Sequence, residues 1–175
     1  MARIPRHREI IRTSSKLLSF LLSLTLLLSC DGRLFHSFRS IDGCAWDSKD
    51  TLEYHYEGSP LVSGTDGMEL CFEARCSSAY RYEHLVVCAV TSDMNDSILS
   101  CDTLSVRVYD STGRMCGATA GAFYQYSSEP VYIPVSSTDS VRIELTHLMK
   151  DSVLCGVNDV GIRLVGACPH GQHQF

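Results

Sequence analysis

Nine cysteines in 175 residues put thiol chemistry first among the things this sequence could do. Cys30 closes an apolar run, while Cys44, Cys71, Cys76, Cys88, Cys101, Cys116, Cys155 and Cys168 are scattered through the rest. Eight is an even number and admits a disulfide framework, yet the spacing selects no pairing, and free thiols fit equally well. No two cysteines stand as Cys-x-x-Cys, so neither a zinc ribbon nor a thioredoxin-type redox motif is signalled. Cys168, His170 and His173 are metal-ligand types in a Gly- and Pro-containing tail, but no fourth ligand is in view, and no metal or cofactor is expected. Tyr80 and Tyr82, like Tyr124 and Tyr126, are two apart, which is expected to put each pair on one face of a strand. Such pairs can stack on a sugar ring, or simply pack across strands.

Catalytic spacing is missing. There is no Gly-x-Ser-x-Gly elbow, no phosphate-cradling glycine loop and no His-Glu-x-x-His. The acids Asp93 and Asp96 read as a solvated loop rather than an acid–base pair. The expectation is a protein that is not an enzyme.

Cys30 has a special setting. Arg3, Arg6, Arg8, Arg12 and Lys16 stand against one acid, Glu9, and are followed by the uncharged run Leu17 to Leu28. A basic stretch before a short apolar run is the layout of a secretory signal. The run is 12 residues long, short of the roughly 20 that a spanning helix needs. It ends Leu27-Leu28-Ser29-Cys30, similar to a lipobox, with leucine three before the cysteine and a small residue just before it. Cleavage before Cys30 and lipid attachment to its sulfur are therefore expected. The alternative is an ordinary signal peptide with a chance cysteine.

Removing residues 1–29 leaves 10 basic against 19 acidic residues, a formal charge of −9. That balance argues against nucleic acid as a partner and against electrostatic adhesion to anionic lipid. The remaining 146 residues suit one domain with a real core. Apolar and polar residues alternate over Leu52–Tyr56, Met68–Ala74, Leu104–Val108, Val141–Leu145 and Val160–Leu164, the period of a half-buried strand. His84–Val90 is apolar on both faces and reads as a central strand, whereas Pro130 and Pro134 push Val131–Val135 to an edge. Turn signals at 58–60, 65–67 and 110–113 separate these runs, and a short helical turn fits only at 147–151. The fold expected is all-β: an antiparallel β-sandwich after an N-terminal lipoprotein signal peptide. Its parts are a signal peptide at 1–29, a lipidated cysteine and tether at 30–45, the sandwich at 46–165 and a tail at 166–175. A membrane β-barrel is disfavoured, because the strands are short and carry charge on their polar face.

Three stretches together resemble the gliding-motility lipoprotein GldH family of Bacteroidetes. In Arg75 to Leu85, Arg75, Tyr80, Tyr82 and Leu85 match, while Cys76 and His84 stand where the family has asparagine. Asp102-Thr103-Leu104 is followed by Asp110, Gly113 and Gly117, with Met115 where tryptophan is frequent. The most specific stretch is Met149-Lys150, Leu154, Gly156-Val157 and Asp159-Val160-Gly161-Ile162-Arg163. Trp46 with Asp50 fits an early Trp-x-x-x-Asp feature. The resemblance implies a lipid-anchored, non-enzymatic envelope protein associated with the gliding and type IX secretion machinery. Its partners would be other envelope lipoproteins or secretion components. The place implied is the outer membrane, facing the periplasm. Asp31 after Cys30 is an inner-membrane retention cue in enteric bacteria, and no further acid precedes Asp42. The rival reading is a lipid-anchored carbohydrate-binding module using the tyrosine pairs, with a hydrolase of cryptic site as a third.

Trp46, Arg75, Tyr80, Tyr82, Asp102, Asp159, Gly161 and Arg163 are thus candidates for partner contact or for a structural motif. Gly161 suits a position where a side chain will not fit, and Arg75 could pair with Asp102 or Asp159. The resemblance also brings O-glycosylation into view, at Asp followed by Ser or Thr and an apolar residue. Five such triplets occur, and Asp96-Ser97-Ile98, in an expected exposed loop, makes Ser97 the first candidate.

Overall fold

The computed structural model describes residues 33–58, 67–137 and 139–167. Cys30 and the expected signal peptide at 1–29, and Cys168, His170 and His173, lie outside them. A compact unit begins at Arg33. Among the described residues it is built of strands β1 (Arg33–Ser40), β2 (Ala45–Asp47), β3 (Leu52–Tyr56), β4 (Met68–Cys76), β5 (His84–Asp93), β6 (Ile98–Arg107), β7 (Ala118–Ala120), β8 (Phe123–Ser127), β9 (Val131–Ile133), β10 (Val141–His147), β11 (Val153–Cys155) and β12 (Val157–Gly166). One sheet runs β1-β12-β4-β8-β7, with β9 also paired to β4; the second runs β3-β10-β5-β6; a two-stranded ribbon joins β11 to β2. All pairings are antiparallel. This is the all-β sandwich that the alternating pattern predicts.

Period two builds the core. On β4 the inward set is Met68, Leu70, Phe72, Ala74 and Cys76, and on β12 it is Val160, Ile162 and Leu164. The second sheet answers with Tyr54 and Tyr56, Leu85, Val87 and Ala89, Leu104 and Val106, and Val141, Ile143 and Leu145. Tyr54 ties the two layers with its hydroxyl, and Tyr56 holds the β9–β10 connection with its own. Tyr54 donates to the Val160 carbonyl at 2.8 Å and Tyr56 to the Ser137 carbonyl at 2.6 Å, so each buried phenol finds a partner. β5 is central, flanked by β10 and β6. Among the described residues β9 pairs with β4 alone, the edge position that its flanking prolines favour.

Two expectations change. Residues 30–45 are not all tether: β1 is a full strand of the first sheet, in register with β12 from Phe35↔Leu164 to Ser40↔Asp159. Its alternation was weak because it is an edge strand with both faces partly exposed. The segment after His147 forms bends, not a helical turn. Among the described residues the helical structure is a 3-10 turn at Asp42–Cys44.

Candidate functional site on the outer face of the first sheet

The sequence Asp159-Val160-Gly161-Ile162-Arg163 sends Val160 and Ile162 into the core and therefore Asp159, Gly161 and Arg163 to the opposite face. Strand register then builds three cross-strand rows. Ser40, Asp159, Arg75 and Gln125 form the first; Phe38, Gly161, Glu73 and Ser127 the second; His36, Arg163 and Cys71 the third.

Glu73 is the centre. Its side chain is only 5% exposed although it sits on the outer face. Oε2 meets His36 Nε2 at 3.0 Å and accepts from Gln125 Nε2 at 3.1 Å, while Oε1 accepts from Arg163 Nε at 3.0 Å. A buried carboxylate is tolerable only when it is paired and hydrogen-bonded in this way. Arg75 extends the network. It donates to Gln125 Oε1 at 3.1 Å, lies 3.8 Å from Asp159, and covers the Phe38 ring at 4.0 Å, a cation–π distance. Ser40 Oγ donates to Asp159 at 2.7 Å. The Phe38 ring lies on Gly161, where a β-carbon would meet it at 2.6 Å.

The chemistry open to this cluster is limited. Two carboxylates, Glu73 and Asp159, face two guanidiniums, Arg75 and Arg163. Cys71, cross-strand from Arg163, accepts from it at 3.3 Å. Burial pushes its pKa up, with Arg163 opposing, so it stays a thiol rather than a nucleophilic thiolate. The geometry suits a preformed polar surface.

The other candidates lie elsewhere. Asp102 is opposite Ala89 on the second sheet, with Oδ2 buried and unpartnered; it does not meet Arg75. Trp46 is fully buried, edge-on to His147 at 5.2 Å, and its indole donates to the Asp50 carbonyl at 3.0 Å. The Trp-x-x-x-Asp spacing is thus a loop closed onto backbone. Tyr80 and Tyr82 do not share a strand face; they fall in the β4–β5 connection. Tyr80 is 1% exposed and donates to the His84 carbonyl at 2.8 Å, while Tyr82 donates to Asp151. Tyr126 is also buried, at 5% exposure. Neither pair offers two open rings, which removes the platform on which the carbohydrate reading rests. Cys76 is fully buried, its thiol pushed up to about 12 by burial.

Gly156 explains the upstream part of the same motif. Its φ is +84°, and a side chain there would run into the backbone of Ala79 and Tyr80. Ser97 is exposed in the β5–β6 turn, where Asp93 accepts from the backbone of Asn95 and Ser97 at 2.8 Å each. A shallow depression of about 400 Å³ lies between β6 and β8, lined by His84, Arg107, Gln125 and Tyr126 among others.

Residues 33–164 match the family described as GldH lipoprotein. The chain belongs to the GldH lipoprotein family. The match spans β1 to the Leu164 position of β12, so all three outer-face rows fall inside the GldH region. No curated protein matches the chain. A solved chain described as "Structure of infectious bursal disease virus Gx strain" is similar over 83% of this chain and 36% of its own length, at 12% identity and a TM-score of 0.28. That likeness carries no argument. GldH membership makes this a lipid-anchored envelope protein of a family linked to gliding motility. Glu73, His36 and Gln125 do not stand out in the sequence, because a polar residue on the outer side of a strand looks solvated until register is known.

Proposed function

We propose that this protein is a non-enzymatic interaction component of the envelope. It is anchored through lipid on Cys30 in the periplasmic leaflet of the outer membrane, and it associates with the gliding or type IX secretion machinery. The observation that carries this reading is the GldH lipoprotein match over residues 33–164. The lipobox-like Leu27-Leu28-Ser29-Cys30 supports the anchor position. The cross-strand network of Glu73, Arg163, His36, Gln125, Arg75 and Asp159 supports a binding role. It fixes an outer surface in one arrangement without charging any nucleophile, and rigid polar surfaces lose little entropy on docking.

Crosslinking in the native envelope, followed by mass spectrometry, tests the reading. Adducts to envelope lipoproteins or secretion components, formed through residues near Arg75 and Asp159, are the expected outcome. Crosslinks confined to polysaccharide, or an intact-cell fractionation that recovers the protein with inner-membrane vesicles, would overturn it. Cys30→Ala should leave an unprocessed precursor without lipid label; normal labelling of that variant contradicts the anchor position.

A further inference from the structure

The second sheet carries a feature that the interaction reading does not use. Cys88 on β5 stands opposite Thr103, and Cys101 on β6 stands opposite Val90. The two cysteines are therefore diagonal neighbours across one antiparallel pair. Leu85, Val87 and Ala89 point into the core from β5, as do Leu104 and Val106 from β6. Alternation then puts Cys88 and Cys101 together on the outer face. Their sulfurs are 3.8 Å apart. Cys101 is exposed and Cys88 half-buried.

We propose that Cys88 and Cys101 are a redox-active dithiol that closes to an intramolecular disulfide by exchange with an accessible disulfide, and that it opens again under reducing conditions. A disulfide needs an S–S distance of about 2.0 Å. The sulfurs must approach by about 1.8 Å; diagonal neighbours on paired strands lie about 7–8 Å apart, so closure takes side-chain rotation together with a small local shift of the β5–β6 backbone. The more exposed Cys101 attacks first. Its thiolate displaces one thiolate from the small-molecule disulfide and leaves a mixed disulfide on Cys101. Cys88, deprotonated in turn, attacks the Cys101 sulfur and expels the second thiolate. The two protons lost by the cysteines end on the two released thiols, and the two electrons end in the reduced small molecule. Burial and the neighbouring Cys101 hold the Cys88 thiol above its ordinary range, which fits Cys88 as the resolving partner. An exposed bond of this kind is the labile rather than the permanent type. Once closed, it would cross-link β6, the outer strand of the second sheet, to the central strand β5.

The test uses the full lipidated chain in detergent, equilibrated with glutathione mixtures of increasing oxidised share, quenched in acid and alkylated with N-ethylmaleimide. Cleavage before Asp93 and Asp96 separates the two cysteines onto different peptides. The expected result is a Cys88–Cys101 linked peptide that accumulates as the mixture becomes oxidising and disappears with dithiothreitol. An upward shift in Tm of roughly 5 °C should accompany it. Cys101→Ser, a change at an exposed position, should abolish both, while Cys116→Ser should leave both in place. Recovery of Cys88 and Cys101 fully alkylated at every mixture, or linked to other cysteines instead of each other, would overturn the proposal. So would single glutathione adducts on Cys101 that Cys88 never resolves.

Discussion

Phe38 on β1 rests on the bare backbone of Gly161 on β12. A β-carbon at Gly161 would fall 2.6 Å from Phe38 Cδ1 and 2.7 Å from the Ser37 carbonyl oxygen. Gly161 is absent from the glycines with positive φ, so space rather than conformation demands glycine here. Gly161→Ala is expected to cost about 1–3 kcal/mol through overpacking. The urea midpoint measures it. A Phe38→Ala background should relieve part of the cost but not all, since the Ser37 carbonyl stays in place. An unchanged midpoint in the single variant would refute the packing argument.

Glu73→Ala removes the acceptor shared by His36, Gln125 and Arg163. Loss of one member of a buried pair can cost about 3–5 kcal/mol. Here Arg163 is 30% and His36 29% exposed, and both can turn to water, so the expected loss is nearer 2 kcal/mol. Glu73→Gln keeps the shape and one acceptor oxygen, and should cost roughly half as much. Chemical denaturation of the three proteins side by side gives the order; equal stability of Glu73→Ala and the parent would remove Glu73 from the centre of the network.

Trp46 and Asp50 should behave very differently although they share one motif. Trp46→Ala empties a fully buried site and should cost about 3–5 kcal/mol. Asp50→Ala should change stability by less than about 0.5 kcal/mol, because the indole bonds to the backbone carbonyl of Asp50 and not to its carboxylate. Thermal unfolding distinguishes the pair, and a large loss in Asp50→Ala would show that the carboxylate matters.

His147 gives a pH dependence. Burial pushes its pKa down, opposed by backbone groups of Ser152 and Trp46 and by Asp47, and neither ring nitrogen has a hydrogen-bond partner of good geometry. The folded state therefore holds the proton less tightly than the unfolded chain. Stability from the neutral ring is present above the unfolded value near 6.5 and is lost as the pH falls through the lower folded value. The urea midpoint should drop on going from pH 7.5 toward pH 5, and His147→Gln should flatten that drop. A midpoint that rises on acidification would reverse the sign.

Much of the fold was legible because most strands alternate cleanly. Leu52–Tyr56 and Val141–His147 pair with each other and bury their apolar sets on one face. β1 was not legible, since an edge strand with both faces half-exposed leaves little periodic signal. The site was legible in part. Asp159, Gly161, Arg163 and Arg75 stand out in the sequence, and register unites them. Glu73 and His36 could not be found the same way, because their burial comes from partners 90 and 37 residues away in the chain. Tyr80 misled for the opposite reason: a loop tyrosine two residues from another imitates a strand pair.

If the lipid sits on Cys30 as proposed, the place where β1 begins, Arg33, limits how far this domain could travel. With lipid on Cys30, three peptide steps separate the anchor from Arg33, at most roughly 11 Å of chain. That length is comparable to the headgroup layer of a bilayer, about 5–7 Å deep on each side. On the proposed attachment at Cys30, a linker that short would act as a bracket rather than a leash. The proposed partner of the Arg75–Asp159 face would then have to come to the membrane surface, and lengthening the 31–32 segment would be expected to widen the range of partners within reach.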